Sequence, residues 1–298
     1  MNLLMCCTPI GKEYSFSEEL RYVLIAAVYF KNLYPQSIIF LGTTPDAEIP
    51  NYLYKFITVI RYPFANLPFA LARQNFYKNF VNSNQFVDDT LITGCDVLFN
   101  KRIDLSTYDY KIAMTYRYHR TMPYCSDLVL VKKDEKIFAN EFFADIISTM
   151  EWMPPVILDG WADQLSIALE IGFLKDCQYN GKINTSPKNN QILLLPSDDY
   201  LFTPNDVFSS IKKPDAGKKQ YDIKDFNALI GLYKKKYAIH FKGKHRKKLF
   251  FIFAYLCAKN GLVDFNELEK KINNRTLFME YFEHFDKFGE ALVAGKSL

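Results

Sequence analysis

The stretch TLITGCDVLFNKRID, residues 90–104, decides the fold class of this chain. It begins with β-branched and apolar residues, which favour a buried strand. Gly94, Cys95 and Asp96 follow directly, and the chain then becomes apolar again. In α/β proteins, the polar groups that bind ligands collect just beyond the carboxyl ends of parallel strands. We therefore expect this strand to lie in the core, with Asp96 at its functional end.

The segments around this stretch alternate between strand and helix. Strands are predicted at residues 2–7, 37–42, 55–62, 90–95, 111–117 and 127–133. Helices are predicted before Pro35 and at residues 66–81, 135–150 and 159–172, where apolar residues recur at helical spacing. Such alternation predicts an α/β fold with a mostly parallel, mixed sheet flanked by helices.

The pattern loosens after residue 172. Two more strands are predicted at 191–196 and 237–241, and Pro, Gly and Lys crowd a surface loop at 210–222. The pattern becomes helical at 247–259, 264–274 and 276–290. We expect residues 1–245 to form one large domain and residues 246–298 a helical appendage.

Composition excludes several classes of protein. The 298 residues are 49% hydrophobic and 23% charged, which favours a large core over a disordered chain. The six cysteines show no C-x-x-C spacing, which disfavours a zinc site and a secreted disulfide scaffold. The sequence shows no signal peptide and no run of about 18 apolar residues, so no transmembrane span is predicted. These features favour a cytoplasmic protein. The many Asn, Lys and Ile residues favour an AT-rich bacterial or phage genome, and a phage protein would act in the host cytoplasm.

Positive charge is concentrated in residues 211–248. This segment holds 13 Lys and Arg against 3 Asp, a net charge of +10, whereas the whole chain carries +4. Such a region predicts a polyanionic partner, which could be phosphates, nucleic acid or an anionic membrane face. A solvated lysine surface is the alternative, and the sequence leaves both open.

The chemical motifs are separated pieces in a suggestive order. The chain has no G-x-G-x-x-G, no G-x-x-x-x-G-K-[ST] and no G-x-S-x-G. Its pieces are Thr8-Pro9, Arg73 in LARQNFY, GCD at 94–96, GWADQ at 160–164 and HFKGKHRKK at 240–248. In this order they resemble a glycosyltransferase of the GT-A fold, in particular the retaining family 8 group of glycogenin and bacterial galactosyltransferases. The resemblance covers about residues 1–250.

The resemblance implies a divalent metal site at the end of the strand that opens at Thr90. In that family the strand ends in Asp-x-Asp, whose carboxylates hold Mn²⁺ or Mg²⁺, and the ion holds the diphosphate of the sugar nucleotide. Here the positions are Gly94, Cys95 and Asp96, so the first carboxylate is missing. We expect all three residues to contact the donor and Asp96 to be a metal ligand, with metal dependence in question.

The segment HFKGKHRK is similar to the family's His-x-x-Gly-x-x-Lys. The matching positions are His240, Gly243 and Arg246, with Lys244 and Lys247 beside them. The resemblance implies that His240 is a metal ligand and that the other four residues bind the diphosphate. A glycine among cations also allows backbone N–H groups and charge to face one phosphate pair. A plain basic helix start is the alternative.

The remaining pieces are predicted to surround the sugar and the nucleotide. The resemblance places Asp163 and Gln164 near the transferred sugar as catalytic residues, and Arg73 in contact with the donor. It places Thr8 and Pro9 by the nucleotide base. Asp163 as a simple helix N-terminal carboxylate and Arg73 as a surface residue are the alternatives.

Three functions are consistent with these features. The first is transfer of a sugar from a nucleotide-diphosphate sugar, with a UDP-sugar favoured, to a glycan or lipid-linked saccharide. In this case a basic, aromatic helix at 244–256 would contact the inner membrane face, and a buried helix with a cationic start is the alternative for that segment. The second is phage-type glucosylation of a hydroxymethylated base in DNA, with phosphate contacts from residues 211–248. The third is a non-catalytic nucleotide- or nucleic-acid-binding protein on a degenerate transferase fold.

Overall fold

The computed structural model describes residues 1–9, 16–51, 53–64, 67–119, 122–158, 161–172, 180–203, 231, 234–242, 250 and 254. Within these residues the strands are β1 (Asn2–Cys6), β2 (Ile39–Thr43), β3 (Thr58–Arg61), β4 (Thr90–Thr93), β5 (Val97–Phe99), β6 (Ile112–Tyr116), β7 (Tyr124–Val131), β8 (Asn184–Thr185), β9 (Ile192–Pro196) and β10 (Ala238–His240). The helices are α1 (Phe16–Leu33), α2 (Phe69–Asn82), α3 (Lys136–Glu151), α4 (Pro155–Leu158), α5 (Ala162–Ile171) and α6 (Ser197–Tyr200), with 3-10 turns at Leu53–Lys55 and Lys133–Glu135.

Eight of the strands form one mixed sheet in the order β3-β2-β1-β4-β7-β6-β9-β8. The neighbours β3, β2, β1 and β4 are parallel, and β6 is parallel to β9. Strand β7 runs antiparallel to both β4 and β6, and β8 runs antiparallel to β9. The predicted mostly parallel, mixed sheet is confirmed. The reversed β7 places its first residues at the edge where the parallel strands end.

Helices cover both faces of this sheet, because its strands are apolar on both sides. In β1, Leu3 and Met5 pack in the core beneath α1, whereas Leu4 and Cys6 pack in the core beneath α2, α3 and α5. Strands buried on both faces are expected when helices flank a parallel sheet. The predicted flanking helices are confirmed.

Two glycines determine where a helix ends and how closely a helix packs on the sheet. Gly172 ends α5 as predicted, with a φ of 96° that side-chain-bearing residues rarely adopt. Gly42 in β2 lies directly beneath the ring of Phe76 on α2, where a Cβ atom would stand 2.2 Å from ring carbons. The absence of a side chain at Gly42 therefore sets the distance between α2 and the sheet.

A small second sheet joins distant parts of the chain. Strands β5 and β10 pair antiparallel, with Val97 opposite His240. The backbone N–H of Phe241 also donates to the carbonyl of Asp96 at 2.9 Å. The sequence did not predict a strand at 97–99, since three residues carry too little periodicity. This pairing holds His240 beside Asp96.

Two residues of the predicted C-terminal appendage lie in the main core. The ring of Phe250 packs edge-on against Tyr22 of α1 at 5.1 Å between centroids, and the Tyr29 hydroxyl donates to the carbonyl of Ala254 at 2.6 Å. The other residues of the helices predicted at 247–290 lie outside the described residues, and the boundary at residue 245 stays a prediction. None of the described helices is long and apolar enough to cross a membrane.

Candidate active site

Polar side chains from five elements meet at the carboxyl edge of β4. Strand β4 leads into Gly94 and Asp96, β10 ends in His240, and the reversed β7 begins beside them. Helix α2 contributes Arg73 and helix α5 contributes Asp163. The structure therefore brings together five residues that the sequence placed in the site.

Arg73 connects two strands and a helix. Its Nη2 donates to Ser126 Oγ at 3.1 Å and to Asp163 Oδ2, and its Nη1 lies 3.4 Å from Asp127 Oδ1. The Arg73 side chain is only 15% exposed, and among the described residues its Nε has no hydrogen-bond partner. A buried guanidinium with two carboxylate partners is a fixed cation, and the surface interpretation of Arg73 is excluded.

Asp163 has partners for both carboxylate oxygens. Oδ1 accepts from the backbone N–H of Gln164 at 2.8 Å, and Oδ2 accepts from Ser126 Oγ at 2.5 Å as well as from Arg73. The side-chain Oε1 of Gln164 accepts from Arg117 Nη2 at 2.8 Å. These bonds hold Asp163 and Gln164 in fixed, buried positions at the start of α5.

His240 lies between two carboxyl groups. Its Nε2 is 3.4 Å from Asp96 Oδ1 and 3.7 Å from Asp127 Oδ2, and its side chain is 3% exposed. Burial disfavours the charged imidazolium, but the Asp96 carboxylate outweighs burial and raises the pKa of His240 to about 10. The surroundings of this imidazole are thus strongly favourable to positive charge.

Asp127 is the point where the two halves of the site meet. Its Oδ1 faces Arg73, while its Oδ2 faces His240 and lies 3.6 Å from Cys125 Sγ. Burial favours the neutral acid, but the charges of His240 and Arg73 outweigh burial and lower the pKa of Asp127 to about 2. Asp127 is therefore ionised over the whole physiological pH range.

Gly94 faces these carboxyl groups rather than open space. A Cβ atom on Gly94 would lie 2.9 Å from Asp96 Oδ1 and 3.3 Å from Asp127 Oδ1. The next residue, Cys95, is half-buried, and its Sγ lies 3.5 Å from the carbonyl of Cys6. The glycine thus leaves room for a carboxylate that comes from another strand.

Of the remaining predicted donor residues, Thr8 and Pro9 lie within the described part of the chain. Thr8 is buried at the end of β1, and its Oγ1 has no hydrogen-bond partner among the described residues, whereas Pro9 is exposed. A buried hydroxyl without a partner is uncommon and suits a position that meets a ligand. Gly243, Lys244, Arg246 and Lys247 lie outside the described residues.

The comparisons with known proteins concern the fold. No protein-family model matches the chain, and no curated protein matches it. Solved structures do match. The galactosyltransferase LgtC, in complex with donor and acceptor sugar analogues, has a TM-score of 0.50 and 12% identity, over 85% of this chain and 95% of that chain. The glycosyltransferase GlyE of Streptococcus pneumoniae TIGR4 has a TM-score of 0.51 and 11% identity, over 91% of this chain and 64% of that chain.

The fold is GT-A-like. At these identities the likeness concerns the arrangement of strands and helices, and it confirms the fold that the separated motifs predicted. In this GT-A-like fold the clustered side chains lie at the carboxyl edge of the central strands, where ligands of α/β sheets bind.

Sequence reasoning missed four residues of this site. Ser126, Asp127 and Arg117 contact residues that it named, and Cys125 contacts Asp127 and lies beside His240. The predicted strand began at Asp127, whereas β7 begins at Tyr124 and is interrupted opposite β6, where Met114 pairs with Val129 and Thr115 with Cys125. Such irregularities re-aim side chains near active sites. The sequence feature that could have identified them is Cys-Ser-Asp at 125–127, ahead of an apolar run. These three residues lie at the site only because β7 runs antiparallel to β4.

The side chains present fit a divalent cation. Cys125 Sγ, one Asp127 oxygen and one His240 nitrogen lie within 4.8 Å of one another, and Asp96 Oδ1 is 3.4 Å from the same imidazole. Ligand atoms at about 2.1 Å from one ion are roughly 3 Å apart when adjacent and roughly 4 Å apart across it. Carboxylates suit Mn²⁺ and Mg²⁺, and imidazole suits transition metals, so Mn²⁺ satisfies both. The ion would be held by Asp96 and His240, with Asp127 in reach.

Proposed function

We propose that this protein is a glycosyltransferase that moves a sugar from a nucleotide-diphosphate sugar, with a UDP-sugar favoured, to a hydroxyl group of a glycan or lipid-linked saccharide. One observation carries the proposal. On a GT-A-like sheet, an arginine, a histidine and three aspartates converge at the carboxyl edge of β4, although they are far apart in sequence. Fold likeness alone would not support an activity, but this cluster supplies the chemistry.

The donor would bind with its diphosphate at Asp96 and His240. A divalent ion held by these two residues would supply positive charge to the diphosphate leaving group. Lys242 adds a further cation on the same side, because it lies close enough to lower the pKa of Asp127. Thr8, at the end of the neighbouring strand β1, is suited to contact the nucleoside.

Transfer would proceed with retention of the anomeric configuration. The bond from the anomeric carbon to the diphosphate oxygen breaks as the acceptor hydroxyl attacks from the same face, and the proton of that hydroxyl passes to the leaving phosphate oxygen. Asp163 is already bonded to Ser126, Arg73 and the backbone of Gln164, so it orients these groups instead of attacking the sugar. Gln164 then presents its fixed amide to the sugar.

The proposed acceptor rests mainly on the sequence of the basic segment at residues 211–248. Residues 211–248 carry the +10 charge, and only a few of them are described. A saccharide acceptor on an anionic lipid is favoured by this charge. The alternatives that the experiment must distinguish are a DNA acceptor and a non-catalytic binding role.

A thermal-shift panel with UDP, GDP, CMP, ADP and TDP, each with and without Mn²⁺, tests the proposal. A ligand at 100 times its Kd stabilises the fold by about 2.7 kcal/mol, which is readily measured. We expect one nucleoside diphosphate to raise the Tm, and to raise it more with Mn²⁺. The matching nucleotide sugar should then be hydrolysed slowly to free sugar. Absence of a shift with every nucleotide would refute the proposal and direct the next titration to DNA.

A further inference from the structure

At Gly94 the space that a side chain would take is occupied by neighbouring carboxyl groups. A Cβ atom there would stand 2.9 Å from Asp96 Oδ1, closer than such atoms are found in proteins, and 3.3 Å and 3.6 Å from Asp127 Oδ1 and Cγ. The two carboxyl groups therefore occupy the volume into which a side chain at residue 94 would extend. One of them comes from the same turn and the other from a different strand.

We propose that Asp127 supplies the second carboxylate of the divalent-cation site, so that its ligands are Asp96, Asp127 and His240. The inference rests on the proposed function and goes further than it, because it assigns a metal ligand to β7. The segment Gly94-Cys95-Asp96 lacks the first acid of the Asp-x-Asp pattern. Asp127, 33 residues after Gly94 in the sequence, would provide the missing carboxylate at the same place in the structure.

The position of Asp127 is set by rigid structure. Strand β7 lies between β4 and β6 in the middle of the sheet, and Thr93 pairs with Leu128. The next pair in that register sets Asp127 opposite Gly94, and the hydroxyl of Thr93 donates to the carbonyl of Asp127 at 2.8 Å. A ligand on a central strand needs little reordering when an ion binds, which favours affinity.

The bond to Arg73 does not compete with this role. Arg73 Nη1 faces Asp127 Oδ1, whereas the other oxygen, Oδ2, faces His240 and Cys125. A carboxylate that binds a metal through one oxygen is commonly hydrogen-bonded through the other, which fixes its orientation. Arg73 thereby becomes a positioning residue for the metal ligand as well as a partner of Asp163.

The charge balance also favours two carboxylates. With Asp96 alone, the protein would bring one negative charge to an ion of charge +2, and the neighbouring Arg73 would oppose binding. With Asp127 included, the two carboxylates offset the divalent ion, and Arg73 stays paired with Asp127 and Asp163.

The test is a Mn²⁺ titration of the full-length protein, with free Mn²⁺ measured by its electron paramagnetic resonance signal, both alone and with UDP. We expect Asp127→Asn to weaken Mn²⁺ binding at least about tenfold, since even indirect partners of a metal site contribute 10- to 100-fold. The matched control is Asp145→Asn, which removes an exposed carboxylate on α3 and should leave the affinity unchanged.

A carboxylate exchange makes the test independent of simple damage. Gly94→Asp alone should bind Mn²⁺ poorly, because the new side chain meets Asp96 and Asp127. Gly94→Asp combined with Asp127→Gly should restore Mn²⁺ binding to within about threefold of wild type, because ligand number and type are restored. Thermal unfolding without metal checks that each variant is folded.

The outcomes separate the two proposals. Unchanged Mn²⁺ affinity in Asp127→Asn, or no Mn²⁺ binding by the wild-type protein with or without UDP, overturns the assignment of Asp127. If nucleotide binding persists in that case, the proposed transferase function stands without this ligand. If no nucleoside diphosphate binds the wild-type protein, the proposed function itself fails.

Discussion

Replacing Arg73 with methionine should destabilise the fold strongly, because it leaves Asp163 without its cationic partner and Asp127 with His240 but without Arg73. Arg73 contacts Asp127 and Asp163, whose side chains are 14% and 4% exposed, and the Arg73 side chain is 15% exposed. Methionine keeps most of the side-chain length, so the change removes charge and hydrogen bonds more than volume. The acids that remain must either stay ionised in a poorly solvated place or take up protons.

The expected magnitude follows from this burial. Breaking a buried ion pair by removal of one partner costs about 3–5 kcal/mol. Solvent screening reduces this cost only slightly here, because all three groups are buried. For a chain of this size each kcal/mol lowers the Tm by about 2 °C, so Arg73→Met should lower it by about 6–10 °C. Differential scanning calorimetry in the absence of nucleotide measures this directly.

The control is Arg21→Met, an identical change at an exposed position on α1. Surface substitutions usually change the free energy of unfolding by less than about 0.5 kcal/mol, so the Tm should hardly move. A double-mutant cycle with Asp163→Asn sharpens the test, because groups in one network couple by about 0.5–3 kcal/mol. If Arg73→Met is as mild as the control, or if its effect is additive with Asp163→Asn, the proposed role of Arg73 as the shared counter-ion is wrong.

Three further predictions follow from the described contacts. Asp96→Ala and His240→Ala should each abolish sugar release from the nucleotide sugar while the protein stays folded, as judged by a hydrolysis assay and circular dichroism. Gly42→Ala should cost about 1–3 kcal/mol in urea unfolding through overpacking against Phe76, and adding Phe76→Leu should recover part of it. Phe250→Ala should cost about 3–5 kcal/mol, because the ring is fully buried in the main core.

The controls for these predictions are exposed residues. Trp152 is 88% exposed, so Trp152→Ala should match wild type in unfolding, in contrast to Phe250→Ala. Asp145→Asn should retain sugar release, in contrast to Asp96→Ala. Full activity in both site variants would contradict the assignment of Asp96 and His240 to the active site. An unchanged free energy of unfolding in Phe250→Ala would indicate that residues after 245 fold apart from the core.

Much of the fold could be predicted because its elements are strongly patterned. Strands such as β1 and β9 are continuous apolar runs bounded by breakers, and helices such as α3 and α5 keep helical spacing over several turns. The short elements β5, β8, α4 and α6 were not predicted, since two to four residues contain no detectable period. Tertiary pairing determines whether such segments become regular.

The site was predictable only in part, for a different physical reason. Arg73, Asp96, Asp163 and His240 were named by resemblance, and the structure brings them together. Asp127 was not named, because its place in the site depends on the direction of β7 and on the irregular pairing near Cys125. Strand direction is a property of the assembled sheet, and a single sequence contains no local signal for it.

The pairing of β10 with β5 also has a consequence for the order of events during synthesis. His240 follows Asp96 by 144 residues, and ribosomes add about 5–20 residues per second, so roughly 7–30 s pass between the two. Before residue 240 is added, the nascent chain already contains β1–β4 and β6–β9, together with the carboxylates of Asp96 and Asp127, but lacks the imidazole between them. The newly made protein therefore acquires its site only when the late strand closes, and an incomplete chain released before residue 240 keeps most of the sheet without the complete site.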